Sequence, residues 1–380
     1  MTAAAPGGNS VDVPRNGAID VLRGLSILLV ITHHLGLGFR LPLAPTPVGD
    51  WLGRRLVGLL SFSGYAAVYC FFVISGFLIA RRVLQQHGQF GAIDVRRFYW
   101  MRASRILPLL LALLCVSSVL HWLALHGFTI RQPEHSLGGA WFAALGLHLN
   151  WYEGRTTWLP GNWDVLWSLS IEELFYLCFP LACWWLPRWL LLPALVLLAA
   201  SLPWTRALLD GQEIWQEKAY LPAMSAIATG VLAAWWTQAA APSRGFARCL
   251  LALGALGFLA ALLAPGELWR STGHASLLII AGCVALYLAG AAWLEAPAPP
   301  GLGWLARMGR LSYELYLTHM FVVLALMPAW RLWVEDPRWN FLPWLPAVLL
   351  CVGIAAQVER RFSKPCERWM RRRWAGAAGT

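Results

Sequence analysis

Long apolar runs alternate with short polar breaks along the chain, at a spacing that predicts a stack of membrane-crossing helices. The runs fall at about 19–38, 58–80, 104–126, 168–186, 190–205, 217–237, 249–265, 274–294, 311–329 and 341–358. A helix needs about 20 apolar residues to cross the hydrocarbon core of a bilayer. The expected fold is therefore all-α and polytopic, with about ten transmembrane helices, although the fifth and seventh runs are short. Segment 139–150 (GAWFAALGLHLN) is also apolar, but about twelve residues do not cross as an unbroken helix, so a re-entrant or interfacial segment is expected there. The domain division that follows is a disordered polar tail at 1–18, a transmembrane domain at 19–360 and a basic tail at 361–380.

Composition supports this reading. Of 380 residues, 58% are hydrophobic and 13% charged, against about 25% charged in soluble domains. That excludes a disordered chain and an ordinary water-soluble domain. The 30 Lys and Arg against 19 Asp and Glu leave a net charge of +11. No nucleic-acid partner is needed to explain it, because basic residues collect in the cytoplasmic loops of membrane proteins. With the N-terminus inside, twenty of the 30 basic residues fall in inner segments. Both ends are thus expected in the cytoplasm, with the terminal RRFSKPCERWMRRRW beside anionic lipid headgroups. The eight cysteines are scattered without a C-x-x-C pair, so neither a disulfide framework nor a metal site is expected.

Ionisable residues inside the spans are the informative ones, since a bilayer penalises them. The first span, AIDVLRGLSILLVITHHLGLG, carries Arg23 and His34 eleven residues apart. Eleven residues turn through three turns and about 20°, so the two side chains share a face, separated by about 16 Å of rise. His33 points about 100° away from His34, and Asp20 lies three residues before Arg23, within pairing distance. Arg23 is read either as a snorkelling anchor or as a clamp for phosphate or carboxylate. His34 is either an interfacial histidine or a base that accepts a proton near neutral pH.

Further along, RRFYWMRASRILP places Arg102 and Arg105 at i and i+3 on a helix, two guanidiniums suited to a polyphosphate or simply a basic inner loop. In LPGNWDVLWSLSIEELFYLCFP, Ser168 and Glu172 are one helical turn apart. Glu172 is either a charge that favours the helix N-terminus or a carboxylate that orients an imidazole or a hydroxyl. Trp158, Trp163 and Trp167 beside it fit an interfacial aromatic belt or a sugar-stacking surface. In MGRLSYELYLTHMFVV, Glu314 and His319 are five residues and about 140° apart, whereas Tyr316 and His319 form an i, i+3 pair.

Taken together, IDVLRGLSILLVITHH, FFVISGFLIARR, FYWMRASRILP, WSLSIEELFYLCFP, LSYELYLTH and ERRFSKP resemble the motifs, in order, of the acyltransferase 3 family of integral-membrane bacterial carbohydrate O-acyltransferases. The resemblance runs from about residue 19 to 366. It implies transfer of an acyl group, most often acetyl, from cytoplasmic acyl-CoA to a hydroxyl of a cell-surface or lipid-linked glycan, at the bacterial inner membrane. Acyl-CoA would be a co-substrate, and no permanently bound cofactor is implied. By position, His34 matches the family's essential histidine and Arg23 its partner, Arg102 and Arg105 the Arg-x-x-Arg pair, and Ser168 and Glu172 the Ser-x-x-x-Glu pair. His34 would act as general base or carry the acyl group transiently. The chain departs from larger family members in having only about twenty residues after its last span, so no appended esterase-like domain is expected. The rival reading is a secondary transporter or flippase of lipid-linked sugars. It would favour internal repeats and helices broken by Gly or Pro near the midplane, whereas the unusual residues here lie near helix ends.

Overall fold

The computed structural model describes residues 15–39, 50 and 53–377, so residues 1–14 of the expected tail and most of the first long loop lie outside the described residues. Among the described residues every regular element is helical. Eight helices are long and apolar enough to cross a membrane, and the protein is an all-α, multi-pass membrane protein. They are α1 (Gly17–Phe39), α2 (Gly64–His87), α3 (Val95–Trp122), α4 (Leu166–Trp185), α6 (Tyr220–Trp236), α7 (Arg244–Leu263), α8 (Ser276–Leu294) and α9 (Ser312–Trp333). The turns Gly161–Asp164, Glu213–Lys218 and Pro265–Thr272 lead into α4, α6 and α8.

The other two expected spans are present as helices but are shorter. α5 (Arg188–Ala200) has 13 residues and α10 (Trp344–Val358) has 15, lengths of about 20 Å at 1.5 Å per residue against a core of about 30 Å. Pro187 precedes α5, and Pro203 opens the separate helix Leu202–Ala207. Proline starts helices readily and interrupts them in their interior. The segment 139–150 forms parts of two short helices, Leu137–Leu145 and Leu149–Arg155, neither long enough to cross.

The basic C-terminal segment is not the loose tail that its charge suggests. α10 continues through a π-helical turn, Glu359–Ser363, into α11 (Lys364–Ala377). α11 docks on the start of α3, where Trp374 stacks on Trp100 with ring centroids 5.2 Å apart. The guanidinium of Arg96 on α3 covers the Trp374 ring at 5.1 Å, a cation–π contact between the two helices.

Two glycine pairs let backbones meet where the site is assembled, the small-residue packing typical of membrane helices. A Cβ at Gly76 of α2 would strike the Ile227 carbonyl of α6, and one at Gly230 of α6 would strike the Val73 carbonyl of α2. In the same way Gly24 of α1 faces the Leu305 carbonyl, and Gly309 faces the Asp20 carbonyl. This second pair brings the short helix Gly303–Arg310, and with it the start of α9, against α1.

At the far end of the bundle a fully buried ion cluster ties three connecting segments together. Lys218 Nζ donates to Glu153 Oε2 at 2.8 Å and to Asp164 Oδ1, with Lys218 and Glu153 both excluded from solvent. Its ammonium also lies 4.0 Å from the centre of the Trp158 ring. Burial and the neighbouring Asp164 carboxylate push Glu153 well above the usual carboxylate range. Two carboxyls therefore face one ammonium.

Two stability predictions follow from this packing. Gly76→Ala should lower the thermal unfolding midpoint in nanodiscs by an amount corresponding to about 1–3 kcal/mol of overpacking. Gly282→Ala, whose added Cβ meets open space, should leave the midpoint unchanged or raise it. Lys218→Met should cost about 3–5 kcal/mol, because it strands buried carboxylates. Glu153→Gln, which imitates the protonated acid, should cost clearly less in the same melt.

Candidate active site

α1 supplies the backbone of the site and α9 runs beside it. At the start of α1, Arg23 donates from Nη2 to Ser312 Oγ of α9 at 2.7 Å and lies 3.8 Å from Asp20. Asp20 also takes Arg310 at 3.8 Å, so one buried carboxylate holds two guanidiniums. Arg105 and Glu172 are both near enough to act on the charge of Arg23. Eleven residues later, the His34 ring lies against His319 of α9, with centroids 5.1 Å apart. Arg23 and His34 thus both face α9, as their helical phase requires. His33 turns away, its Nδ1 2.8 Å from the Ser61 carbonyl, and its ring occupies the space that the missing side chain of Gly64 leaves at the start of α2.

His319 is completely buried. Its Nδ1 is 3.1 Å from the Leu315 carbonyl and 2.8 Å from the Tyr316 carbonyl, which fixes the proton on that nitrogen. Tyr316 OH and Ser168 Oγ of α4 share a hydrogen bond of 2.7 Å, and the rings of Tyr316 and His319 are 5.9 Å apart. His34, His319, Tyr316 and Ser168 therefore form one group. Beside it lies a cavity of about 30 Å³ lined by His34, Tyr65, Asp164, Trp167, Glu217 and Tyr316 among others. That volume accommodates one water or one hydroxyl group.

Four side chains on α4 and its leading turn, Asp164, Ser168, Glu172 and Tyr176, recur every fourth residue and connect the two ends. Asp164 bonds Lys218 and Ser168 meets Tyr316. Glu172 Oε2 accepts from Ser75 Oγ at 3.1 Å and from Tyr176 OH at 3.2 Å. Ser75 and Tyr176 also contact each other through their hydroxyls. Glu172 is therefore held by these two hydroxyls. The Arg102 guanidinium sits 3.9 Å over the Tyr176 ring and 3.7 Å from Glu173. Arg105 is exposed. The Arg-x-x-Arg pair thus divides into one guanidinium packed into the bundle and one facing outward.

Glu314 is buried at the first turn of α9, five residues and about 140° around the helix from His319, and takes no place in that group. Of the three tryptophans around the start of α4, Trp163 and Trp167 are buried in the protein, which removes them from an interfacial belt, while Trp158 caps Lys218. Sequence reasoning did not single out Ser75, Tyr65, Asp164, Tyr176, Glu217 or Lys218. A signal existed for some of them. Asp164 and Tyr176 continue the four-residue spacing of Ser168 and Glu172, and Lys218 is one of only two lysines in the chain.

Comparison with known proteins places this arrangement. A Bacillus subtilis (strain 168) protein with the provisional name peptidoglycan O-acetyltransferase YrhL is 29% identical over 170 residues, which is 43% of this chain and 23% of that one. The O-acetyltransferase OatA of Staphylococcus aureus (strain NCTC 8325 / PS 47) is 26% identical over 168 residues, 43% of this chain and 24% of its own. The matched part therefore spans about a quarter of the length of these curated relatives. No solved structure matches the chain. Residues 16–356 match the acyltransferase 3 family, described as an acyltransferase domain, and the chain belongs to that family.

Proposed function

We propose that this protein is a membrane O-acyltransferase. It would move an acyl group, acetyl first among them, from cytoplasmic acyl-CoA to a hydroxyl of a cell-surface or lipid-linked glycan at the bacterial inner membrane. The observation that carries this reading is the placement of His34 on a hydroxyl-sized polar cavity at one end of α1, with Arg23 on the same face at the other end, near the exposed Arg105. The names of the relatives, O-acetyltransferases with peptidoglycan as one acceptor, support the acyl group and the glycan class.

In this mechanism Arg105 binds the outermost phosphates of the donor by charge-assisted hydrogen bonds. Arg102, already engaged by Glu173 and Tyr176, lines the wall and keeps Glu172 in a fixed position through Tyr176. Arg23 sits along the path by which the pantetheine arm reaches the His34 end. The acceptor hydroxyl occupies the cavity and gives its proton to His34 as its oxygen attacks the thioester carbonyl. The carbon–sulfur bond then breaks, and the leaving thiolate takes the proton from the imidazolium. Thioesters are activated acyl donors, so a positioned base and a fixed geometry are the contributions required of the protein. The Ser168–Tyr316 hydroxyl pair holds the wall of the cavity.

The test is acyl transfer by purified protein in nanodiscs with a panel of CoA thioesters. His34→Ala should lower transfer by about 10²- to 10⁴-fold, the usual contribution of a general base, with donor affinity kept. Arg105→Ala should instead weaken donor binding by about ten- to a hundredfold, in line with about 1.5–3 kcal/mol for a hydrogen bond to a charged group. Thioester consumption in detergent, where no gradient exists, separates this enzyme from a transporter. A folded His34→Ala protein that transfers at the wild-type rate overturns the assignment.

A further inference from the structure

His319 carries a buried nitrogen that the mechanism above does not use. Its Nδ1 faces the carbonyls of its own helix at 2.8 and 3.1 Å. A carbonyl accepts and never donates, so Nδ1 bears the proton and the lone pair resides on Nε2. Nε2 is enclosed in the protein, and no side chain or backbone group among the described residues bonds it. The two ring nitrogens of an imidazole point in nearly opposite directions, so with Nδ1 turned to the α9 backbone, Nε2 projects away from it. The His34 ring packs against the His319 ring, centroid to centroid 5.1 Å with the planes inclined by 38°.

An unpartnered acceptor in a fully buried position is costly. Such an atom is retained where a second state supplies its partner. His34 supplies one through the N–H on the nitrogen away from the acceptor, both as neutral base and once doubly protonated. We infer that His319 is a positioning residue for His34, its Nε2 accepting a hydrogen bond from the His34 nitrogen that faces away from the acceptor hydroxyl. The inference rests on His34 being the base.

The arrangement follows the logic of a base oriented by a third group, with a neutral imidazole in place of a carboxylate. When His34 takes the acceptor proton, its second N–H is held by His319, so the ring does not rotate before the thiolate reclaims the proton. The α9 backbone fixes the tautomer of the orienting ring, and that ring fixes the tautomer of the base. A neutral partner also suits this location. A carboxylate at residue 319 would bring a further negative charge into an interior where Asp164, Glu153 and Glu217 already lie near one ammonium.

The experiment compares His319→Gln and His319→Leu with wild type in nanodiscs. Acetyl-CoA is the donor and an oligomer of N-acetylglucosamine the acceptor, and nitrogen chemical shifts are recorded on histidine-labelled protein. Gln offers an acceptor oxygen in place of Nε2, whereas Leu only fills space. His319→Leu should lose on the order of ten- to a hundredfold in kcat, the size seen when a histidine loses its hydrogen-bonded support, with KM for acetyl-CoA unchanged. His319→Gln should restore most of that loss. In the spectra, His34→Ala should shift the Nε2 resonance of His319, and His319→Gln should shift His34. If the Nε2 resonance stays in place when His34 is removed, the inference is overturned whether or not transfer is observed. Equal kcat losses in the Leu and Gln proteins, both folded, overturn it as well. An active His34→Ala protein would instead overturn the reading of His34 as the base.

Discussion

A polar side chain inside a bilayer has no water to satisfy it, so it must find its partner within the protein. That constraint organises this protein. Arg23 on α1 is bonded by Ser312, Glu172 on α4 by Ser75 of α2, Ser168 by Tyr316 of α9, and Lys218 by Glu153 and Asp164 on two connecting segments. Each pair crosses between elements far apart in sequence. The apolar surface of the helices only keeps them in the membrane. The polar pairs, together with the glycine contacts that let backbones close up, determine which helix sits beside which and at what rotation.

The two ends of the site differ in electrostatic character for the same reason. At the end where α1 begins, guanidiniums from α1, α3 and the helix before α9 outnumber the carboxylates near them, and some of that charge reaches the surface at Arg105. At the other end, the carboxyls of Glu153, Asp164 and Glu217 face Lys218 and Arg206, among aromatic rings and hydroxyls. α1 joins the two ends along one face.

Much of this was legible in the sequence, because it depends on local periodicity. The ten apolar segments, the shared face of Arg23 and His34 and the Asp20–Arg23 pair are consequences of 100° per residue and of hydropathy. What was not legible depends on the third dimension. Nothing in the spacing of α9 says that His319 would meet His34, since that requires knowing that α1 and α9 are neighbours. The basic C-terminus read as a tail because charge dominates its composition. Its two-point attachment to α3 rests on Trp374 and Arg96, which are distant in sequence. The partners of Glu172 were only half legible, since Tyr176 lies on the same helix but Ser75 does not. α5 was overestimated in length because hydropathy does not register the new helix that opens with Pro203, and the charge after 358 hid that α10 runs on into α11.

The four-residue ladder on α4 has a consequence for how such a chain can change over time. Four residues advance a helix by about 400°, so each rung is turned about 40° from the last, and the ladder winds through about 120° from Asp164 to Tyr176. That slow drift lets one helix address Lys218, then α9, then α2, then α3 in succession. A single inserted or deleted residue in this stretch would rotate every rung beyond it by about 100° and disconnect several neighbours at once. Substitution on the opposite, lipid-exposed side, at Leu177, Leu181 or Trp184, disturbs none of them. α4 is thus free to vary in identity along one side and fixed in length throughout, and descendants of this sequence would accumulate their insertions in the loops at either end.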